Sequence, residues 1–152
     1  MSNSGSSTAE RLRRLMDETV LEVFVTMLGC ECVPAHATDS APNQKVARIT
    51  FSGALAGECA LIFADMDAAK LAEMFLGEAA DDTMADDAIG ELCNVLAGGW
   101  KRRLRPPASG AGLSVPSVAR ETLDAAPDLC QGYEFDGKHF TVRLTVDLAV
   151  EY

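Results

Sequence analysis

The chain has 152 residues, 48% of them hydrophobic and 24% charged, which suits one globular domain and leaves little for a second. A formal net charge of -10 argues against nucleic acid as the main partner, because phosphate binding draws on lysine and arginine spread over a face, and the one basic run, KRRLR at 101–105, is local. No apolar run approaches a membrane span, and the start, MSNSGSSTAE, lacks the regions of a signal peptide, so a cytoplasmic protein away from membranes is expected.

Residues 1–7 have almost nothing to bury and are expected to be a disordered tail, leaving 8–152 as the single domain. Ser7 and Glu10 have capping-box spacing, and Leu12, Leu15, Met16, Val20, Val23, Phe24, Met27 and Leu28 then recur at helical intervals up to Gly29. This predicts a first helix; Leu21 and Val25 add apolar residues to its other side, so its second half is expected to be covered on most of its circumference. From Lys45 the period becomes two: Ala47, Ile49 and Phe51 alternate with polar neighbours, and after GALAG so do Cys59, Leu61 and Phe63, the pattern of a hairpin. DMDAAKLAEMFLG restores helical spacing and stops at Gly77; Thr83 with Asp86 then has the spacing to open a third helix, which ends before Pro106 and Pro107.

LSVPSVA at 113–119 reads as a short strand in which Pro116 calls for an edge or a bulge. FDGK at 135–138 is a hairpin turn, and the alternation that begins at Phe140 runs on without a break, predicting a long last strand, Phe140 to Tyr152, at a sheet edge. Helix, hairpin, two helices, then strands indicate an α+β domain, a mainly antiparallel sheet with helices packed on it.

Five cysteines, an odd number with no CxxC pair, give neither a disulfide framework nor a zinc ribbon. Cys30, Cys32 and His36 lack a fourth ligand at a usable spacing, and Cys59 and Cys93 fall on apolar faces as small hydrophobes. His36 and His139 have no nucleophile at a recognisable distance in sequence.

The stretch AIGELCNVLAGGW, residues 88–100, carries the chemistry. Advancing about 100° per residue from Ile89 puts Leu92, Cys93, Leu96, Trp100, Arg103 and Leu104 on one side, the core face. Asp87, Glu91, Asn94, Gly98, Lys101, Arg102 and Arg105 fall opposite, with Glu91 and Asn94 neighbours at i, i+3. Asparagine is a poor helix-interior residue and each glycine costs about 1 kcal/mol relative to alanine, so this face gives up helix stability. A binding site and bland packing of another part of the fold both account for that.

Taken with VARITFSGALAGECALIFA before it and LSVPSV after it, DDAIGELCNVLAGGWKRRL resembles the CheC/CheX/FliY group of chemotaxis phosphatases, and by length and single motif its CheX branch. In that group an E-x-x-N helix is the phosphatase signature, which maps onto Glu91 and Asn94. The first helix, where relatives carry a second copy, offers Glu18-x-x-Leu21 and Glu22-x-x-Val25 without asparagine, so one active helix per chain is expected. Cys93 stands where the family often has alanine, and Gly99-Trp100 where a polar residue is frequent.

The resemblance implies a phosphatase that removes the phosphoryl group from the aspartate of a CheY-like response regulator. In that role Asn94 would orient the attacking water and Glu91 would pair with the regulator's lysine. Gly98 would let the partner's loops approach, and Lys101 could reach their acidic rim. Mg²⁺ would sit in the regulator, with no metal held by this chain, and a homodimer joined through the sheets is expected. The alternatives are a non-catalytic adaptor of the same fold that binds a response regulator or motor component, and a structural subunit.

Overall fold

The computed structural model describes residues 4–37, 41–124, 126–127 and 129–152, with the backbone alone for residues 4–7 and 41. Helix α1, Ser4–Val23, continues through a π-helical turn, Phe24–Leu28, and stops at Gly29, whose φ of 64° ends it in the left-handed region. Strand β1, Cys32–Ala35, is followed by β2, Ala41–Ser52, and β3, Gly57–Phe63, then by the helical hairpin α2, Asp65–Leu76, and α3, Asp82–Arg102. The chain closes with β4, Gly112–Leu113, β5, Ser117–Leu123, β6, Leu129–Phe135, and β7, Lys138–Val146. All recorded pairings are antiparallel, in the order β1-β6-β7-β3-β2-β4, with β5 also on β2. This is the expected α+β architecture.

Alternation sends one set of side chains from each strand toward the helices. Phe63, Tyr133, Phe135 and Phe140 meet Phe24 of the π turn in an aromatic cluster with ring centroids 5.1–5.9 Å apart. Tyr133 keeps its hydroxyl satisfied by donating to Asp17 Oδ1 at 2.6 Å. On the opposite face Val46, Ala60, Ile62 and Leu123 form a smaller buried cluster. Beside it Arg48 binds both oxygens of Glu121, at 2.6 and 2.9 Å, and also Glu58. The fork of Arg48 holds the Glu121 carboxyl below its usual range.

Four sequence expectations are corrected. Helix α1 begins within the segment expected to be a tail, at Ser4, while residues 1–3 lie outside the described residues. Leu21 and Val25 are not covered: they are 48% and 51% exposed, because among the described residues no element packs on that side of the helix. The cap of α3 is Asp81 and not Thr83; its carboxylate accepts the Met84 N–H at 2.9 Å. The last strand ends at Val146 and lies inside the sheet, between β3 and β6, so the edge expected there for a dimer is already paired. The sheet edges are β1 on one side and β4 and β5 on the other, with β4 and β5 separated at 114–116 around Pro116.

Candidate functional site

Helix α3 is fixed before it presents anything. Ile89, Leu92, Cys93, Leu96 and Trp100 are fully buried on its core face. Trp100 Nε1 donates to Leu12 O on α1 at 3.1 Å, and the Cys93 thiol points at the carbonyls of Ala47 and Cys59, 3.6 and 3.7 Å away. A hydrogen bond with Cys93 and complete burial push the Cys59 thiol well up, which leaves Cys59 as inert packing. At the start of the helix the nearly buried Lys45 ammonium meets Asp86 at 2.5 Å and Asp82 at 3.7 Å, tying α3 to β2. Arg120 of β5 pairs with Asp65 at 2.8 Å and holds that carboxyl below its usual range, tying the sheet edge to α2.

Glycines set the flanks. A Cβ on Gly99 would lie 2.9 Å from Thr19 Cγ2, so glycine is what lets α1 cross this closely. Gly90 faces Val118 and Pro116, 3.5 and 3.7 Å from where a Cβ would sit, and Gly98 faces Leu113 at 3.6 Å. The β4–β5 segment therefore runs along the stripe of α3 that contains Gly90, Asn94 and Gly98. The glycines read from the sequence as room for a neighbour do have one, and it belongs to this chain.

Glu91 and Asn94 stand side by side, both exposed, three residues apart on the outward stripe. Neither has a hydrogen bond or ion pair among the described residues. The other two candidates are placed differently from expectation. Gly98 is buried under Leu113, and Lys101 is half-buried with its ammonium donating to Ser109 O at 2.8 Å, because the chain after α3 folds back along the helix. The structure thus brings Glu91 and Asn94 together and commits Gly98 and Lys101 to internal packing.

Next to Glu91 lies a groove of about 230 Å³ between the end of α2 and the first half of α3, lined by Phe75, Leu76, Met84, Asp87, Ala88 and Glu91. Sequence reading missed it as a feature. The signal was there in part: Met84, Asp87, Ala88 and Glu91 follow i, i+3, i+4, i+7 spacing on one stripe. That Leu76 and Phe75 complete it depends on how α2 folds back onto α3. Among the described residues no group of three or more His, Cys, Asp or Glu is gathered to hold a metal ion, and no helix is long and apolar enough to cross a membrane.

A family model described as chemotaxis phosphatase CheX matches residues 46–135, more than half of the chain and all of the Asp87–Asn94 stripe. Solved structures share the fold. CheX from Vibrio vulnificus is 18% identical with a TM-score of 0.72, covering 90% of this chain and 96% of that one. CheX from Desulfovibrio desulfuricans is 19% identical with a TM-score of 0.69, covering 90% and 99%. A third match is the Borrelia burgdorferi CheX–CheY–BeF3–Mg²⁺ complex, 15% identical with a TM-score of 0.65, covering 88% and 96%. No curated protein sequence matches the chain.

Proposed function

Because this chain belongs to the chemotaxis phosphatase CheX family, we propose that it removes the phosphoryl group from the phosphoaspartate of a CheY-like response regulator, using Glu91 and Asn94 of α3. The observation that carries this reading is the unpaired, exposed Glu91–Asn94 pair on a helix whose other sides are locked into the fold. The presence of a CheY in complex with a family member from Borrelia burgdorferi supports the choice of partner.

Hydrolysis of an acyl phosphate needs positioning and charge management more than a nucleophile from the enzyme. Water attacks phosphorus in line, the bond from phosphorus to the aspartyl oxygen breaks, and the products are inorganic phosphate and the free carboxylate. The Asn94 amide oxygen accepts a hydrogen bond from that water while its NH2 donates to a phosphoryl oxygen, so one neutral side chain addresses both reactants. Glu91 carries the charge for docking and pairs with a lysine beside the regulator's phosphoaspartate. The Mg²⁺ of the reaction would come with the regulator's own acidic pocket. A homodimer would pair through β5 or β1, since β7 is enclosed in the sheet.

The test is to time the loss of label from each phosphorylated response regulator of the host, with Mg²⁺, in the presence and absence of this protein. Acceleration for one regulator is the expected result. Binding without acceleration identifies an adaptor, and no effect on any regulator overturns the reading.

A further inference from the structure

The groove beside Glu91 has three properties that together describe its occupant. Its floor is apolar and open: Leu76 is 50% exposed and Met84 40%, while Phe75 is half-buried and Ala88 buried beneath them. At about 230 Å³ it is smaller than the roughly 300–1,000 Å³ of small-molecule pockets, and it offers no side-chain donor to orient a metabolite. It is of a size to seat an anchoring side chain of a protein partner. Its rim is anionic. Asp81 caps the helix and Asp82 and Asp86 are engaged by Lys45, but Asp87 and Glu91 have no ion pair or hydrogen bond among the described residues. An occupant that buries the floor must also satisfy those two carboxylates, which calls for lysine or arginine next to an apolar side chain.

We infer that the groove is the specificity-determining dock for the phosphorylated regulator, receiving one apolar side chain from the regulator's surface near its phosphoaspartate, with a flanking basic residue paired to Asp87. The inference rests on the reading of Glu91 and Asn94 as the face that meets a regulator. Met84, Asp87 and Ala88, Glu91, and Asn94 occupy one continuous stripe of α3, so a partner that reaches Asn94 with its phosphoryl group passes over the groove. The basic residue that meets Asp87 lies about one turn of helix from the lysine that meets Glu91. Binding energy gained at the groove is present before and during the chemical step alike, so it sets KM and leaves kcat nearly unchanged. Regulators without an apolar side chain and basic neighbour at that place are rejected.

The test uses the full chain with 13C-methyl methionine and receiver domains of the host's response regulators, each loaded with Mg²⁺ and beryllofluoride so that no turnover occurs. The expected result is a shift of the Met84 methyl resonance with one receiver domain while Met66, far more exposed and at the opposite end of α2, does not move. In phosphate-release assays with that regulator, Leu76→Glu and Met84→Glu are expected to raise KM about tenfold or more with kcat held within about twofold, and Asp87→Lys to do the same. Met66→Glu serves as the control. A protein that accelerates dephosphorylation, yet whose Met84 methyl stays still and whose Leu76→Glu and Met84→Glu variants keep the normal KM, overturns the dock and leaves the phosphatase reading standing. A Met84 shift without any acceleration upholds the dock and overturns the phosphatase reading. If no receiver domain moves Met84 and none loses phosphate faster, both fall.

Discussion

Helices α1 and α3 lie against one another on the same sheet, and each turns a face with glutamates to solvent. On α1 that face carries Glu18, Leu21, Glu22 and Val25, with two apolar side chains about half exposed and Glu22 drawn into an ion pair with Arg103. On α3 it carries Asp87, Glu91 and Asn94, with polar groups left open and the backbone beneath them pinned by Trp100, Lys45 and the Gly99–Thr19 contact. Exposure is common to both. What separates them is the neighbour each glutamate has: Glu91 has the Asn94 amide beside it, whereas the places three residues after Glu18 and Glu22 are taken by the apolar Leu21 and Val25, so of the two helices α3 presents the amide a positioning catalyst needs.

The comparison breaks most visibly at Asn94. Asn94→Ala is expected to leave the fold and regulator binding intact while phosphate release falls by roughly 10²-fold or more, the scale of lost positioning. Asn94→Asp should do no better, because it sets an anion against the phosphoryl group and loses the amide donors. Steady-state phosphate release and thermal unfolding, run side by side, check both. Next comes Glu91. Glu91→Ala should weaken regulator binding, and Glu91→Lys should weaken it further by setting a cation against a cation, seen in titration calorimetry with a beryllofluoride-loaded receiver domain.

The two adjacent glycines sharpen the comparison from the side of stability. Gly99→Ala forces a Cβ to within 2.9 Å of the buried, β-branched Thr19, and should cost about 1–3 kcal/mol, less what alanine returns in helix propensity. Gly98→Ala meets Leu113 and Arg102 only at ordinary contact distances and should be neutral or stabilising by up to about 1 kcal/mol. Chemical denaturation of the two variants separates these outcomes. The smallest effect is expected from Leu21→Asn, which builds a Glu18-x-x-Asn pair on α1. Introduced into the Asn94→Ala protein it should restore no phosphate release, since α1 has the spacing without the groove. Recovery would show that the tetrad suffices on any exposed helix.

Much of this was legible in the sequence. A count of 100° per residue separates Ile89, Leu92, Cys93, Leu96 and Trp100 from Glu91 and Asn94, and burial follows that division. FDGK gave its hairpin, with positive φ at both Asp136 and Gly137. What failed depended on partners distant in sequence. Periodicity shows that Leu21 and Val25 are apolar but not whether anything covers them. Alternation in β7 cannot say that β6 and β3 enclose it. Strand β1, four residues with a proline, carries no periodic signal of its own. The helical count puts Gly98 and Lys101 on the outward side of α3 with Glu91 and Asn94, and it cannot show that the chain beyond Pro107 folds back and takes them out of solvent.

Strands β1 and β2 follow one another along the chain, yet β6, β7 and β3 stand between them. On leaving β1 the backbone passes directly over β6: a Cβ on Gly132 would lie 2.2 Å from His36 O. The sheet therefore cannot close while only the first hundred residues exist. During synthesis β1 has no partner and β3 has a bare side until the C-terminal hairpin arrives to fill the middle, a contact pattern that slows folding and leaves strand edges open meanwhile. A side chain at Gly132 would act on this last step, at the seam where β6 must receive β1, while the pairing of β7 with β3 does not involve that position.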